Sequence, residues 1–159
     1  MNSYRDYGIT HRRYLHQHPE LGREEHHTSS YCQQVLRELG YSITPCFHTG
    51  FYADLAVDPD YPLTAFRADM DALPAQECSE ESFCSVNQGV AHLCGHDLHM
   101  AVALTAARMM VDHRHQLTSN IRLLFQPSEE MFVGGAQGMI AEGALKGLMQ
   151  STACIMIRR

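Results

Sequence analysis

Short apolar runs alternate with helical stripes along this chain, and that alternation does most to limit what it can fold into. Phe51-Tyr52-Ala53-Asp54-Leu55-Ala56-Val57, Leu63-Thr64-Ala65-Phe66-Arg67-Ala68 and Asn120-Ile121-Arg122-Leu123-Leu124-Phe125-Gln126 each read as strands. Ala153-Cys154-Ile155-Met156-Ile157 reads as a last one. Helices are expected from Tyr4 to His18, ending at Pro19, and from Thr28 to Leu39, where Cys32, Val35, Leu36 and Leu39 follow i, i+3, i+4, i+7 spacing and Gly40 supplies the stop. A longer helix from Leu98 to His113 carries Met100, Ala103, Leu104, Ala107, Met110 and Val111 on one stripe, with Asp97 as its expected N-cap. A further helix is expected over Ala136–Leu145, and residues 75–91 read as a loop. Strands separated by helices imply an α/β fold, a mostly parallel sheet flanked by helices. In such sheets ligands collect beyond the carboxyl ends of the strands.

Composition narrows the function classes. The 159 residues suit one domain, with 45% hydrophobic and 19% charged residues, as in a globular chain. Twelve Lys and Arg stand against 18 Asp and Glu, a formal net charge of −6. A nucleic-acid or anionic-membrane partner would need a basic stripe instead. No apolar run approaches the roughly 18 to 20 residues of a membrane span, and no apolar segment follows the first residues. The expectation is a soluble, cytoplasmic protein. Its six cysteines form no C-x-x-C pair and are expected as thiols or ligands rather than as a disulfide framework. Of its 11 histidines, His11, His16, His18, His26, His27, His113 and His115 are expected to be solvated surface groups.

Three places carry candidate chemistry. Cys94 and His96 stand in His92-Leu93-Cys94-Gly95-His96-Asp97-Leu98-His99, where Gly95 permits a tight turn. A thiolate and an imidazole suit a borderline-soft divalent ion such as zinc; alternatively, this is a buried cysteine beside a helix-capping His-Asp pair. Glu129-Glu130 follows the third strand. One carboxylate can hold a metal while the other takes a proton from water, the division that metal-assisted hydrolysis requires; alternatively the pair is simply solvated. Asp69 and Asp71 follow the second strand, where they can ligate or orient an imidazole, or form the turn before Pro74. Each lies where the fold places a site, and three loops are expected to converge on one crevice.

Arg67-Ala68-Asp69-Met70-Asp71-Ala72-Leu73-Pro74, the His92–His99 segment and Gln126-Pro127-Ser128-Glu129-Glu130, with Gly135-Ala136 and Met139-Ile140, resemble the amidohydrolase branch of the dinuclear-metal aminoacylase/carboxypeptidase superfamily. Hippurate hydrolases, N-acyl-amino-acid deacylases and plant auxin-conjugate amidohydrolases belong to that branch. His11-Arg12-Arg13-Tyr14-Leu15-His16-Gln17-His18-Pro19-Glu20-Leu21-Gly22 is similar to its N-terminal segment, and the likeness runs to about residue 147. The resemblance implies Cys94, His96 and Glu130 as metal ligands, Glu129 as general base, Asp71 as a supporting carboxylate, and Asp69 where sister branches place a ligating His. It implies a divalent metal (zinc, manganese or cobalt) and an N-acyl amino acid as the small-molecule substrate. Members are well over twice this length, inserting a lid and dimerisation domain and supplying two further His ligands downstream. Residues 1–159 are therefore expected to be an incomplete, truncated metallopeptidase-like catalytic domain, weakly active or inactive unless a C-terminal fragment complements it. The other expectation is a non-catalytic protein that binds a single metal or a partner.

Overall fold

The computed structural model describes residues 3–154, and the side chains of residues 3–148. Helix α1 (Tyr4–Gln17) starts at Ser3, whose hydroxyl accepts the Asp6 N–H at 3.2 Å, and stops ahead of Pro19. Helix α2 (His26–Glu38) takes its cap from a distance: the Glu20 carboxylate accepts the N–H groups of His27 and Thr28 at 3.1 and 2.7 Å. A short edge strand β1 (Ser42–Pro45) turns into β2 (Phe51–Leu55), and β3 (Leu63–Asp69) follows. The loop that ends at Gly95 leads into α3 (His96–Asp112). Then come β4 (Asn120–Gln126), α4 (Gly135–Ala141) and β5 (Leu148–Cys154).

The five strands form one sheet in the order β1-β2-β4-β3-β5. The α/β class and the flanking helices are as expected. Pairing is parallel for β4–β3–β5 and antiparallel for β1–β2–β4. The expected mostly parallel sheet is thus a mixed one. The β1–β2 pair is antiparallel because a turn of residues 46–50 is too short for a crossover and makes a hairpin.

Strand β4 runs through the middle and explains the layering. Ile121, Leu123 and Phe125 point to one side, where they join Leu15, Cys32, Leu36, Met100, Ala103, Leu104 and Ala107. Phe125 stacks on Phe51 with ring centroids 4.7 Å apart. Helices α2 and α3 cover this face, and α1 packs on α3 outside them. Leu124 points to the other side, into a smaller cluster with Cys46, Ala65, Met139 and Ala144 beneath α4. No helix among the described residues is long and apolar enough to cross a membrane.

Several boundaries differ from the sequence reading. Strand β1 had no periodic signal, since three of its four residues are exposed. Helix α4 ends at Ala141, four residues early, and β5 begins at Leu148 rather than at 153; residues 155–157 of that expected strand lie outside the described residues. Asp97 is not the N-cap of α3. Gly95 takes that place in a left-handed conformation (φ 84°), and Asp97 sits buried in the first turn. There it accepts from Arg12 Nε at 2.9 Å and His16 Nδ1 at 2.8 Å. His11 and His16 are accordingly buried, not solvated: His11 meets the Tyr31 hydroxyl at 2.7 Å, and His16 reaches Glu77 with its other nitrogen at 3.0 Å.

Candidate metal centre

Strands β3 and β4 are parallel neighbours with Asp69 opposite Gln126, so both chains leave the sheet side by side. The Met70 N–H continues the ladder to the Gln126 oxygen at 3.0 Å. Asp69 and Asp71 therefore emerge next to Ser128, Glu129 and Glu130, and the start of α3 comes in above them.

His96 is the hub. It is buried, and its Nδ1 donates to the main-chain oxygen of Asp71 at 2.7 Å. A carbonyl can only accept, so Nδ1 carries the hydrogen and Nε2 presents the other ring nitrogen. Nε2 lies 3.6 Å from Asp69 Oδ2, 3.7 Å from Glu129 Oε2 and 3.7 Å from Glu130 Oε1. Burial by itself pushes the His96 pKa down, but the hydrogen bond to Asp71 and the charges of Asp69 and Asp71 outweigh it and hold it up at about 9.

Asp71 is nearly inaccessible and holds the site together. Its Oδ1 accepts the Glu129 N–H at 2.9 Å and its Oδ2 the Glu130 N–H at 3.0 Å. Burial pulls its pKa upward, yet the hydrogen bonds from His96 and from the two main-chain groups win and leave it below the usual carboxylate range. Asp69 is held by Arg67 Nη1 at 3.1 Å and by His99 Nδ1 at 2.5 Å. Glu129 and Glu130, by contrast, keep 38% and 29% of their side chains open to solvent.

Four of the five expected site residues are thus brought together: Asp71, His96, Glu129 and Glu130. Among the described residues, the ligand atoms of His96, Glu129 and Glu130 form one set lying within 4.8 Å of one another, and those of Asp69, His96 and His99 form a second. Cys94 belongs to neither set; it is exposed on the turn just before Gly95. One imidazole nitrogen facing three carboxylates, with the other ring nitrogen fixed from behind, is a donor set that fits a divalent cation.

Sequence reasoning missed three groups here. His99 follows His96 at i, i+3, the spacing that puts two side chains on one helix face, and that signal was readable. His92 is buried with neither ring nitrogen hydrogen-bonded, and its burial pushes its pKa down to about 4. Glu25 is fully buried, and its partners lie far along the chain.

Beside Glu129, a cleft of about 510 Å³ is lined by Arg67, Gln126, Met131, Phe132, Val133 and Gln137, among others. A second hollow, about 570 Å³, lies between α1 and α3 and includes none of the centre's side chains.

Comparison with known proteins places the fold in a family. An N-acetyl-L-cysteine deacetylase of Bacillus subtilis is 42% identical over 138 residues, which is 86% of this chain and 33% of the relative. An N-acyl-L-amino acid amidohydrolase of Geobacillus stearothermophilus is 40% identical over 141 residues, 88% of this chain and 38% of the relative. The chain therefore spans about a third of the length of the curated relatives it matches. The crystal structure of a Bacillus subtilis dinuclear metal binding peptidase from the M20 family superposes with a TM-score of 0.86 at 36% identity, covering 91% of this chain and 41% of that one. Residues 65–157, more than half of the chain, match the family pattern itself, and the chain belongs to Peptidase family M20/M25/M40.

Proposed function

We propose that this chain carries the carboxylate–histidine part of a metal-dependent amidohydrolase site, acting on the amide bond of N-acyl amino acids. The observation that carries this reading is His96, fixed through Nδ1 by Asp71 and turned through Nε2 toward Asp69, Glu129 and Glu130. His96 and Glu130 would hold the metal, with Cys94 on the adjoining turn as the further donor that the family resemblance implies. Zinc or manganese suits S/N/O donors, and cobalt is admissible. A divalent ion bound here supplies Lewis acidity toward a carbonyl oxygen and toward water.

The chain's own residues do the rest. Glu129 is the more exposed carboxylate, opens on the cleft and takes the proton as water adds to the amide carbon. It returns that proton to the nitrogen as the C–N bond breaks, releasing the amine. Asp71 keeps Glu129 and Glu130 at their places through the main chain. Met131, Phe132 and Val133 offer the acyl group an apolar wall. Residues 1–159 act on this reading as the metal-holding portion of a larger catalytic unit, with a complementing C-terminal fragment supplying further ligands and the substrate-positioning lid.

The test is calorimetric titration of the chain with zinc and with manganese, beside His96→Gln, Cys94→Ser and Glu129→Gln. The expected result is at most one bound equivalent, lost in His96→Gln and Cys94→Ser and kept in Glu129→Gln. Amine release from N-acetyl amino acids is expected below detection for the chain alone, since substrate positioning accounts for about 7 to 11 kcal/mol of barrier lowering in the best cases. A wild-type chain that takes up no divalent metal would sink the proposal.

A further inference from the structure

The pair Glu129-Glu130 is presented by a backbone that is not relaxed. Ser128, just before it, is left-handed with φ 55° although it is not a glycine, a conformation that persists only where the surroundings enforce it. Ser128 does not enforce it with its own side chain, because the buried Ser128 hydroxyl has no hydrogen-bond partner. The main chain does. The three consecutive N–H groups of Ser128, Glu129 and Glu130 each donate to a carboxylate oxygen: Glu25 Oε1 at 2.7 Å, Asp71 Oδ1 at 2.9 Å and Asp71 Oδ2 at 3.0 Å. Asp71 is part of the site already described. Glu25 is 103 residues away in sequence, belongs to neither ligand set among the described residues and is fully buried.

A carboxylate is costly to bury and is kept where strong, charge-assisted bonds repay the loss of water. Glu25 makes such bonds with both oxygens. Oε2 accepts from the Thr49 hydroxyl at 2.5 Å, and the Thr49 main-chain oxygen accepts from Ser29 at 2.6 Å. Glu25 thereby ties the start of α2 and the β1–β2 turn to the turn after β4. Packing closes the same point. A Cβ on Gly50 would come within 2.7 Å of the Pro127 ring, and one on Gly135 would collide with the Pro127 main-chain oxygen. With Pro127 held from two sides, Ser128 has one direction in which to offer its N–H.

We propose that Glu25 is a positioning residue for the Glu129–Glu130 pair. It holds Ser128 in the left-handed conformation through the main chain, so that Asp71 takes the next two N–H groups and both side chains face His96. Its use in metal binding rests on the function proposed above; its hold on the turn does not.

The experiment compares Glu25→Leu, which removes the acceptor, Glu25→Gln, which keeps one, and Leu36→Ala, a buried control within α2 in the main core cluster. In the metal-free chain, amide hydrogen exchange at Ser128, Glu129 and Glu130 is expected to quicken at least tenfold in Glu25→Leu beyond any change in Leu36→Ala, and to recover in Glu25→Gln. Titration with Mn²⁺ alone is expected to show affinity lowered about 10- to 100-fold in Glu25→Leu, the range for partners that orient ligands, and near wild type in the other two. Unchanged exchange at these three amides in a folded Glu25→Leu overturns the proposal, as does an equal affinity loss in Leu36→Ala. If the wild-type chain binds no Mn²⁺, the functional reading fails and the exchange data alone decide the role of Glu25. Should Glu25→Leu not fold, Thr49→Val, which strips the donor from Oε2, is expected to speed exchange at Ser128, and no change there overturns the proposal equally.

Discussion

The two faces of the sheet are built differently. One carries α2 and α3, with α1 outside them, over a cluster that includes Phe51, Leu104, Leu123 and Phe125, all at 1% exposure or less. The other carries one short helix, α4, over Cys46, Ala65, Leu124, Met139 and Ala144. The deep face supplies His96 and, through the start of α2, Glu25. The shallow face borders the open cleft, where Phe132 and Val133 stand exposed. On the function proposed above, the groups that must not move are anchored in the thick layer, and those that would meet a substrate hang over the thin one.

Adjacent residues of β4 offer the sharpest test, because they share a backbone and face opposite ways. Phe125→Ala is expected to cost about 3 to 5 kcal/mol, since the ring is fully enclosed and stacked on Phe51. Leu124→Ala is expected to cost less, toward about 2 kcal/mol, because the thinner layer relaxes more easily. Urea unfolding of the two variants reads the difference, and equal losses would erase the contrast between the faces. A smaller effect probes a buried polar group on the loop that leads into α3. His92 has a folded pKa of about 4, below its ordinary 6.5. Between those values the unfolded chain binds a proton that the folded chain refuses, so stability rises with pH across that window. The melting temperature is expected to climb from pH 4.5 to 6.5, and to climb less in His92→Leu. An unchanged slope in that variant would show that His92 binds its proton as readily in the folded chain as in the unfolded one.

How legible was this in the sequence? The helical stripe from Met100 to Ala107 and the apolar run of β4 were visible because their periodicity is local. So was the approach of Asp71, His96 and Glu129-Glu130, since an α/β sheet brings strand ends and helix starts together. What stayed hidden depends on pairings across long stretches of chain. Strand β1 is exposed and short, with no pattern of its own. The burial of His16 depends on Asp97, 81 residues on, and Glu77, 61 residues on. Glu25 is one more acid in Arg23-Glu24-Glu25, and only the fold brings it to the Ser128 N–H. Local pattern reveals which residues carry chemistry; the residues that aim them are fixed by contacts no short window contains.

The pairing of Asp69 with Gln126 has a consequence for assembly. Side chains alternate between faces along a strand, so sliding β3 by one residue against β4 would turn Asp69 and Asp71 away from the turn they serve. Such a chain would still have its helices and five strands, and its circular dichroism would hardly change. It would have lost the acceptors for the Glu129 and Glu130 N–H groups and the brace behind His96 in a single stroke. On the function proposed above, ion uptake would report whether two strands have met in the one alignment that counts, a question that secondary-structure content cannot answer.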